Sequence, residues 1–495
     1  MKLKNKLKVF SVLTSLTLLL QLIPPGIAHA AVGNSISLTL GEGTVQGSVS
    51  SGSVTTHDID MNIPANKMVI LSLSGVSAGN GCVLKLKNKS TNTEVSTKSG
   101  GWYSLSRMIF YRTSDSVNTK YYVEVSSSTS ISYTLNVKVL EAVSFTKQDT
   151  KSNNSTLNTY CISNSPEQLD AANELGENGY FLQRSLIQGN ANIYWEHQNL
   201  YGKNMRFGVL LYNTSSSPVT VTLNRRSYKA WPESSMAMAE VWADWMIMVK
   251  KADDSGFTST VTIPSNSAKW ICLYTVPYHT TYPSSPVYNT FNGVIDISIP
   301  TGVSLYCDTY IMNSGKEDYT LGNVSKAVSA TGTGDSLRGS GAGAMLYTWN
   351  TGTTTITPST PYNIAIGGYD APYINPGEKI TITDSSGVSK DNAQNYGVVY
   401  KIIFSNISSS GTVKGIIKCN PKVNTNLAEN PNTSTGGNMF VTVSGTGIST
   451  PVKARLNKSN PEVTFINSVP KGQQVVYYVV ISGQSTMPLE ISFTN

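Results

Sequence analysis

The stretch NTSSSPVTVTLNR, residues 213–225, follows the apolar run Val209, Leu210, Leu211 and Tyr212, and NISSSGTVKGII at 406–417 repeats its shape. In each copy an apolar strand ends at an asparagine, serines follow, and Pro218 or Gly411 opens the next strand. Asn tolerates the left-handed turn conformation, Ser satisfies local backbone groups, and Pro is confined to positions that owe no N–H to a ladder. Each copy therefore predicts a strand, a turn and a second strand. A companion signal recurs in IPANKMVIL (63–71), IPSNSAKWICLY (263–274), INPGEKITIT (374–383) and VPKGQQVVYYVV (469–480). There an apolar residue or short apolar-polar pair, a proline and a polar turn lead into a strand, with the proline confined to the strand's edge or start.

The same grammar extends outward through the chain. Short runs rich in Val, Ile, Tyr and Thr alternate with Gly, Asn, Ser and Pro, which predicts an all-β fold built as tandem β-sandwich domains. Residues 38–75, LTLGEGTVQGSVSSGSVTTHDIDMNIPANKMVILSLSG, read as three strands. KYYVEVSSSTSISYTLNVKVLE (120–141) reads as a terminal hairpin that sets Tyr122, Val123 and Val125 beside Tyr133, Leu135 and Val137. These motifs, "LTLGEGTVQGSV", "IPANKMVILSLSG" and "YYVEV…SYTLNV", resemble the bacterial pre-peptidase C-terminal family of secreted β-sandwiches. The resemblance covers about a quarter of the chain and implies an accessory, noncatalytic module.

The first thirty residues stand apart. Lys2, Lys4, Lys6 and Lys8 form a basic region, Val9 to Ile23 an apolar one, and Ala28-His29-Ala30 a small-residue cleavage site. This predicts a signal peptide at 1–30 and a secreted chain, extracellular or held noncovalently at a bacterial cell surface. No later run reaches the roughly 18 apolar residues of a membrane span. The predicted organisation is a sandwich at 31–145, a polar linker (144–158, SFTKQDTKSNNSTLN), a central β-rich module at 159–370 and an immunoglobulin-like sandwich at 371–495.

The net charge of +7 includes the four leader lysines and contains no basic run, which argues against a nucleic-acid partner. Charged residues make up only 14% of the chain, against roughly 25% in average proteins, so solubility rests on Ser, Thr, Asn and Tyr. Cys82, Cys161, Cys272, Cys307 and Cys419 lack any CxxC spacing, so neither a zinc site nor a dithiol motif is expected. Two readings stay open: bridges among Cys161, Cys272 and Cys307, or five small buried hydrophobes.

Candidate chemistry lies mainly in the central module. SSMAMAEVWADWMIMVKKADD predicts a single amphipathic helix at 235–252, capped by Ser234 or Ser235, with Glu240 and Asp244 as an acidic stripe. In NIYWEHQNLYGKNMRFG (192–208) the aromatics cluster; with Trp231 they give Tyr194, Trp195, His197, Tyr201 and Trp231 as a candidate ligand platform. Gly334-Asp335-Ser336-Leu337 spells an esterase nucleophile motif, but it lies in a Gly/Ser-rich stretch (326–344), and no histidine follows His279. Nor does GSGAGA there precede a helix that would hold a phosphate. No catalytic residue, cofactor or metal is assigned.

The preferred expectation is a noncatalytic multi-domain protein binding a polysaccharide, cell-wall glycan or another surface protein. The alternatives are a secreted hydrolase with its site around His197, Glu240 and Asp244, and a self-assembling structural protein.

Overall fold

The structure is a computed structural model. It describes residues 31–32, 41–63, 67–76, 81–98, 108–113, 119–141, 146–148, 159–165, 168–169, 180–230, 237–246, 260–278, 289–313, 328–329, 338–342, 346–366, 381–384, 386–391, 397–418, 439–456, 460–482 and 489–495. The fold is all-β, with several sandwich-like layers and one described helix. The chain divides into two compact units, residues 1–63, 70–109 and 117–138, and residues 64–69, 110–116 and 139–495. The signal peptide, most of the predicted linker, the GDSL motif and Cys419 lie outside the described residues.

In the first unit, strands Val54–Ile63, Thr119–Ser126, Val83–Asn88 and Glu94–Lys98 lie in that order in one sheet. Tyr121, Val123 and Val125 are its buried inner row, while Tyr122 is half-buried on the other face. The predicted terminal hairpin needs correction here. Thr119–Ser126 pairs with Val54–Ile63 and Val83–Asn88, whereas Ile131–Glu141 belongs to a second sheet and pairs with Gly41–Val49. Serines and Thr129 between them carry the chain from one sheet to the other, so the two apolar rows, both buried, lie in different sheets and not side by side in one.

The second unit is built around two facing sheets. The larger runs Thr260–Ile263, Val219–Ala230, Thr290–Ser298, Asn190–Asn199, Thr159–Ser163, Arg338–Ala342, Thr381–Thr383 and Ser389–Asp391; we call it the central sheet. Facing it is the outer sheet, Ser267–Val276, Met205–Asn213, Ser304–Asn313, Tyr180–Gln188 and Val328–Ser329. Met205, Phe207, Val209, Leu211, Ile193, Trp195, Ile295 and Ile297 fill the space between them. Further strands, including Leu346–Thr355, Val399–Ser408, Val475–Ile481, Met439–Gly445 and Val452–Leu456, form another sheet of the same unit.

Strand pairings cross residue 370. Leu346–Thr355 and Tyr362–Ile366 pair with Val399–Ser408 and Leu489–Thr494, while Thr381–Thr383 pairs back onto Arg338–Ala342. One hydrophobic cluster likewise contains Tyr160, Tyr194 and Val294 of the central sheet together with Val441, Tyr477 and Phe493.

The described helix, α1 (Ala237–Met246), lies within the predicted 235–252, whose other residues are outside the described ones. It packs on strands Val219–Ala230, Thr290–Ser298, Met439–Gly445 and Val452–Leu456. The Trp242 ring lies 5.6 Å from Tyr194. Thr442 Oγ1 donates to the Ala239 carbonyl at 2.7 Å, and Glu240 bridges Lys229 and Lys453.

The two recurrent sequence signals prove to be halves of one device. Asn213 Nδ2 donates to the carbonyls of Ser217, Ile263 and Pro264, so the turn asparagine ties its own loop to the proline-led strand entry of a neighbour. Its Oδ1 accepts from Ser215 N at 3.0 Å and Ser215 Oγ at 2.8 Å. At the second copy Asn406 Oδ1 accepts from Gly472 N at 2.9 Å, again joining the NxSSS turn to the Pro-led turn at 469–472. A third instance escaped the sequence pattern: Asn199 Nδ2 donates to Lys203, Val276 and Pro277 carbonyls.

Because Asn213 is fully buried and satisfies several carbonyls, Asn213→Ala should cost about 2 kcal/mol or more. Asn406→Ala, losing a single bond at a half-buried position, should cost about 1 kcal/mol or less. Urea midpoints of the two variants check the order; equal losses would contradict it.

Candidate functional site

The predicted platform lies on strand Asn190–Asn199, and every described side chain from Ala191 to Asn199 is buried. Alternation explains how. Trp195 and His197 face the outer sheet, and Tyr194 and Glu196 face the opposite way, towards α1. Trp195 stacks on Phe207 at 5.2 Å and donates from Nε1 to Tyr274 Oη at 3.0 Å. Opposite it stands Gly293, where a Cβ would meet the indole at 2.1 Å. His197 sits between Phe207 and Phe291, and its Nε2 lies 3.0 Å from Ser163 Oγ, which in turn lies 3.0 Å from Thr309 Oγ1. Tyr194 Oη donates to Glu196 Oε2 at 2.5 Å.

Tyr194, Trp195 and His197 are therefore core residues, with no exposed ring to offer a ligand. Tyr201, just beyond the strand, is half-buried with Lys203 Nζ 4.9 Å over its ring; Trp231 lies outside the described residues. The acid–base group imagined around His197, Glu240 and Asp244 does not assemble. His197 points away from α1, Glu240 is ion-paired, and Asp244 accepts from Ser227 Oγ at 3.3 Å. Among the described residues no group of three His, Cys, Asp or Glu side chains stands close enough to hold a metal ion, and no described helix is long and apolar enough to cross a membrane.

A partly exposed aromatic face does exist, on the other side of the outer sheet. Strand Met205–Asn213 sends Met205, Phe207, Val209 and Leu211 inward, which leaves Arg206, Gly208, Leu210 and Tyr212 outward. The strand registers align three outward rows: Ala268, Tyr212, Tyr306 and Leu186; Trp270, Leu210, Asp308 and Arg184; Leu273, Gly208, Tyr310 and Phe181. Trp270 lies across Gly208, whose absent Cβ would meet the indole at 2.4 Å. Its ring meets Tyr310 edge-on at 5.9 Å, and Phe181 is 5.3 Å from Tyr310. A bulge between Val209 and Leu210 lets both Ile271 and Cys272 turn inward while Trp270 and Leu273 stay outside.

An ion pair occupies the middle row. Arg184 Nε and Nη2 donate to Asp308 Oδ1 and Oδ2 at 2.8 and 2.6 Å. The Asp308 side chain is 1% exposed and that of Arg184 42%. The guanidinium lies 5.0 Å from the Tyr306 ring and 5.9 Å from those of Tyr212 and Phe181. Burial pushes the Asp308 carboxyl above its ordinary range, and the Arg184 hydrogen bonds and charge pull it back. Burial also pushes the Tyr310 phenol up. The aromatic rings and Asp308 thus hold one edge of the guanidinium fixed, and its Nη1 group has no partner among the described residues. Leu186 at 53% exposure, with half-buried Tyr212, Tyr306, Phe181 and Trp270, completes the surface.

The first unit carries a second concavity, a groove of about 510 Å³ lined by Gln46, Gly47, Ser48, Gly75, Ser132, Tyr133 and Thr134. Its wall is the buried contact of His57 Nε2 with Tyr133 Oη at 2.6 Å, and burial pushes the Tyr133 phenol up to about 12.

No family model and no curated protein matches the chain. Solved structures with some likeness include PliG of Aeromonas hydrophila, a periplasmic inhibitor of g-type lysozyme, at 9% identity and TM-score 0.18, over 22% of this chain and 99% of that one. The pre-peptidase C-terminal domain of a Bacillus anthracis collagenase aligns at 17% identity and TM-score 0.15, over 21% of this chain and 93% of its own. The tandem CBM22 domain of Paenibacillus barcinonensis Xyn10C aligns at 11% identity and TM-score 0.16, over 55% and 87%. At these scores the likenesses carry no argument about function.

Removing the arginine tests the geometry of the outer face. In Arg184→Leu the buried Asp308 loses its cation, so its folded pKa rises further above the unfolded value; stability from that group is present at low pH and lost as pH rises through the folded pKa. The variant should therefore lose more stability near neutral pH than near pH 4. Urea midpoints at both pH values decide; equal losses would contradict the buried pairing.

Proposed function

We propose that the chain is an extracellular, noncatalytic binding protein whose ligand is a polysaccharide laid on the outer face of the outer sheet. One observation carries the reading: half-buried aromatic rings, Trp270, Tyr212, Tyr306 and Phe181, surround a guanidinium held in place by a buried carboxylate. A sugar ring presents C–H groups on its faces and hydroxyls around its edge. Flat aromatic side chains accept the faces at little conformational cost, and a fixed guanidinium donates to paired hydroxyls. Because the arginine is already oriented, little side-chain entropy is lost on binding.

The leader pattern at 1–30 supports an extracellular site of action, and the low charge content suits recognition of a neutral polymer over a polyanion. The fates of His197, Glu240 and Asp244 remove the acid–base group on which a hydrolase reading rested. Leu186, exposed beside Tyr306, favours a protein partner as the second reading, since an aliphatic tip adds nothing to sugar recognition.

Binding of residues 31–495 to an array of cell-wall and plant polysaccharides tests this. Saturable binding should fall about tenfold or more in Trp270→Ala and in Tyr306→Ala, a loss of roughly 1.4 kcal/mol, and stay unchanged in Tyr201→Ala. Binding untouched by both outer-face variants, or absent from every polysaccharide, would overturn the proposal.

A further inference from the structure

Cys161 lies on the inner face of the central sheet and Cys307 on the inner face of the outer sheet, both with no exposed surface and both in the core between the sheets. Ser163 Oγ, two residues beyond Cys161, lies 3.0 Å from Thr309 Oγ1, two residues beyond Cys307, so the two strands bring Cys307 towards Cys161 across the core. Around them the polar groups converge on Cys161. Gln183 Nε2 donates to its Sγ at 3.1 Å, while Gln183 Oε1 accepts from Gly339 N at 2.7 Å, so the amide is fixed by a backbone group. Ser185, on the same strand as Gln183, is the register partner of Cys307.

We infer that Cys161 and Cys307 are a pair built for oxidation to a disulfide that pins the central sheet to the outer sheet. Among the described cysteines, Cys82, Cys161, Cys272 and Cys307, none is bridged in this structure, and Cys272 is excluded as a partner of Cys307 by position. Cys272 shares the outer sheet with Cys307, but strand Met205–Asn213 separates them, a span of about 9–10 Å, too long for a bridge. Cys82 belongs to the first unit.

The chemistry is thiol–disulfide exchange with a low-molecular-weight disulfide met during folding. One protein thiolate attacks a sulfur of that disulfide and forms a mixed disulfide, releasing the first small thiol. The second protein thiolate then attacks the mixed bond, releasing the second small thiol and leaving one protein S–S bond. The protein thus loses two electrons and two protons, which the small disulfide takes up as two thiols.

Reduced, urea-unfolded residues 31–495 should be refolded in a buffer of reduced and oxidised glutathione, quenched with iodoacetamide, digested without reduction and mapped by mass spectrometry. One linked pair, Cys161 with Cys307, is expected, with Cys82 and Cys272 alkylated. Reduction should then lower the thermal midpoint of the parent by ~5 °C and leave that of Cys161→Ser/Cys307→Ser unmoved. Full alkylation of both thiols, or a bridge from either to Cys82, Cys272 or Cys419, would overturn the inference; the mapping needs only the parent, so a variant that fails to fold leaves it decisive.

Discussion

The carboxylate of Asp296 ties together the elements on which the second unit rests. It is buried in the central sheet, yet it accepts from Asn192 Nδ2 at 2.5 Å, from Trp245 Nε1 at 2.9 Å and from Arg225 Nε at 2.9 Å. The Arg225 guanidinium also lies 4.0 Å over the Trp245 ring. A buried carboxylate with fewer partners would be strongly destabilising, but with a cation and directed donors it specifies one arrangement. That arrangement fixes α1 on the central sheet, and α1 in turn packs on strands Met439–Gly445 and Val452–Leu456. The central sheet is thereby covered on both faces, by the outer sheet on one and by α1 and its neighbours on the other.

Double coverage decides which side chains meet solvent. Tyr194 and Trp195 point in opposite directions and both are lost to the core. The partly exposed aromatics lie one layer out, where the outer sheet has packing on its inner face and charged or half-buried groups on the other. Asp308 plays there a role parallel to that of Asp296, holding an arginine between aromatic rings, but its arginine remains 42% exposed. One ion pair closes a core; the other presents a cation at a surface.

Local devices were legible in the sequence because they rest on local physics. The NxSSS turns, the Pro-led strand entries and the central helix each follow from turn chemistry or periodicity, and all-β sandwich character follows from their repetition. What was not legible is which turn meets which. Asn213 with Pro264 and Asn406 with Gly472 are contacts across the fold, and no spacing announces them. Strand Leu346–Thr355 joining Val399–Ser408 is likewise a pairing choice set by a distant core. The burial of Tyr194, Trp195 and His197 was missed for a related reason. NIYWEHQN carries large residues at successive positions, the mark of a strand buried on both faces. On strand Met205–Asn213 the outward series Arg206, Gly208, Leu210 and Tyr212 contains a glycine, and Trp270, which the sequence reading did not single out, lies over it.

Hydrogen–deuterium exchange of the peptide covering residues 190–199 tests the central claim most directly. A strand hydrogen-bonded on both sides and covered on both faces should exchange only through global unfolding, at a rate that tracks the denaturation free energy, and more slowly than peptides of the edge strand Ser267–Val276. Exchange of 190–199 as fast as that edge strand, independent of global stability, would mean that one face of the central sheet is open and would contradict the account.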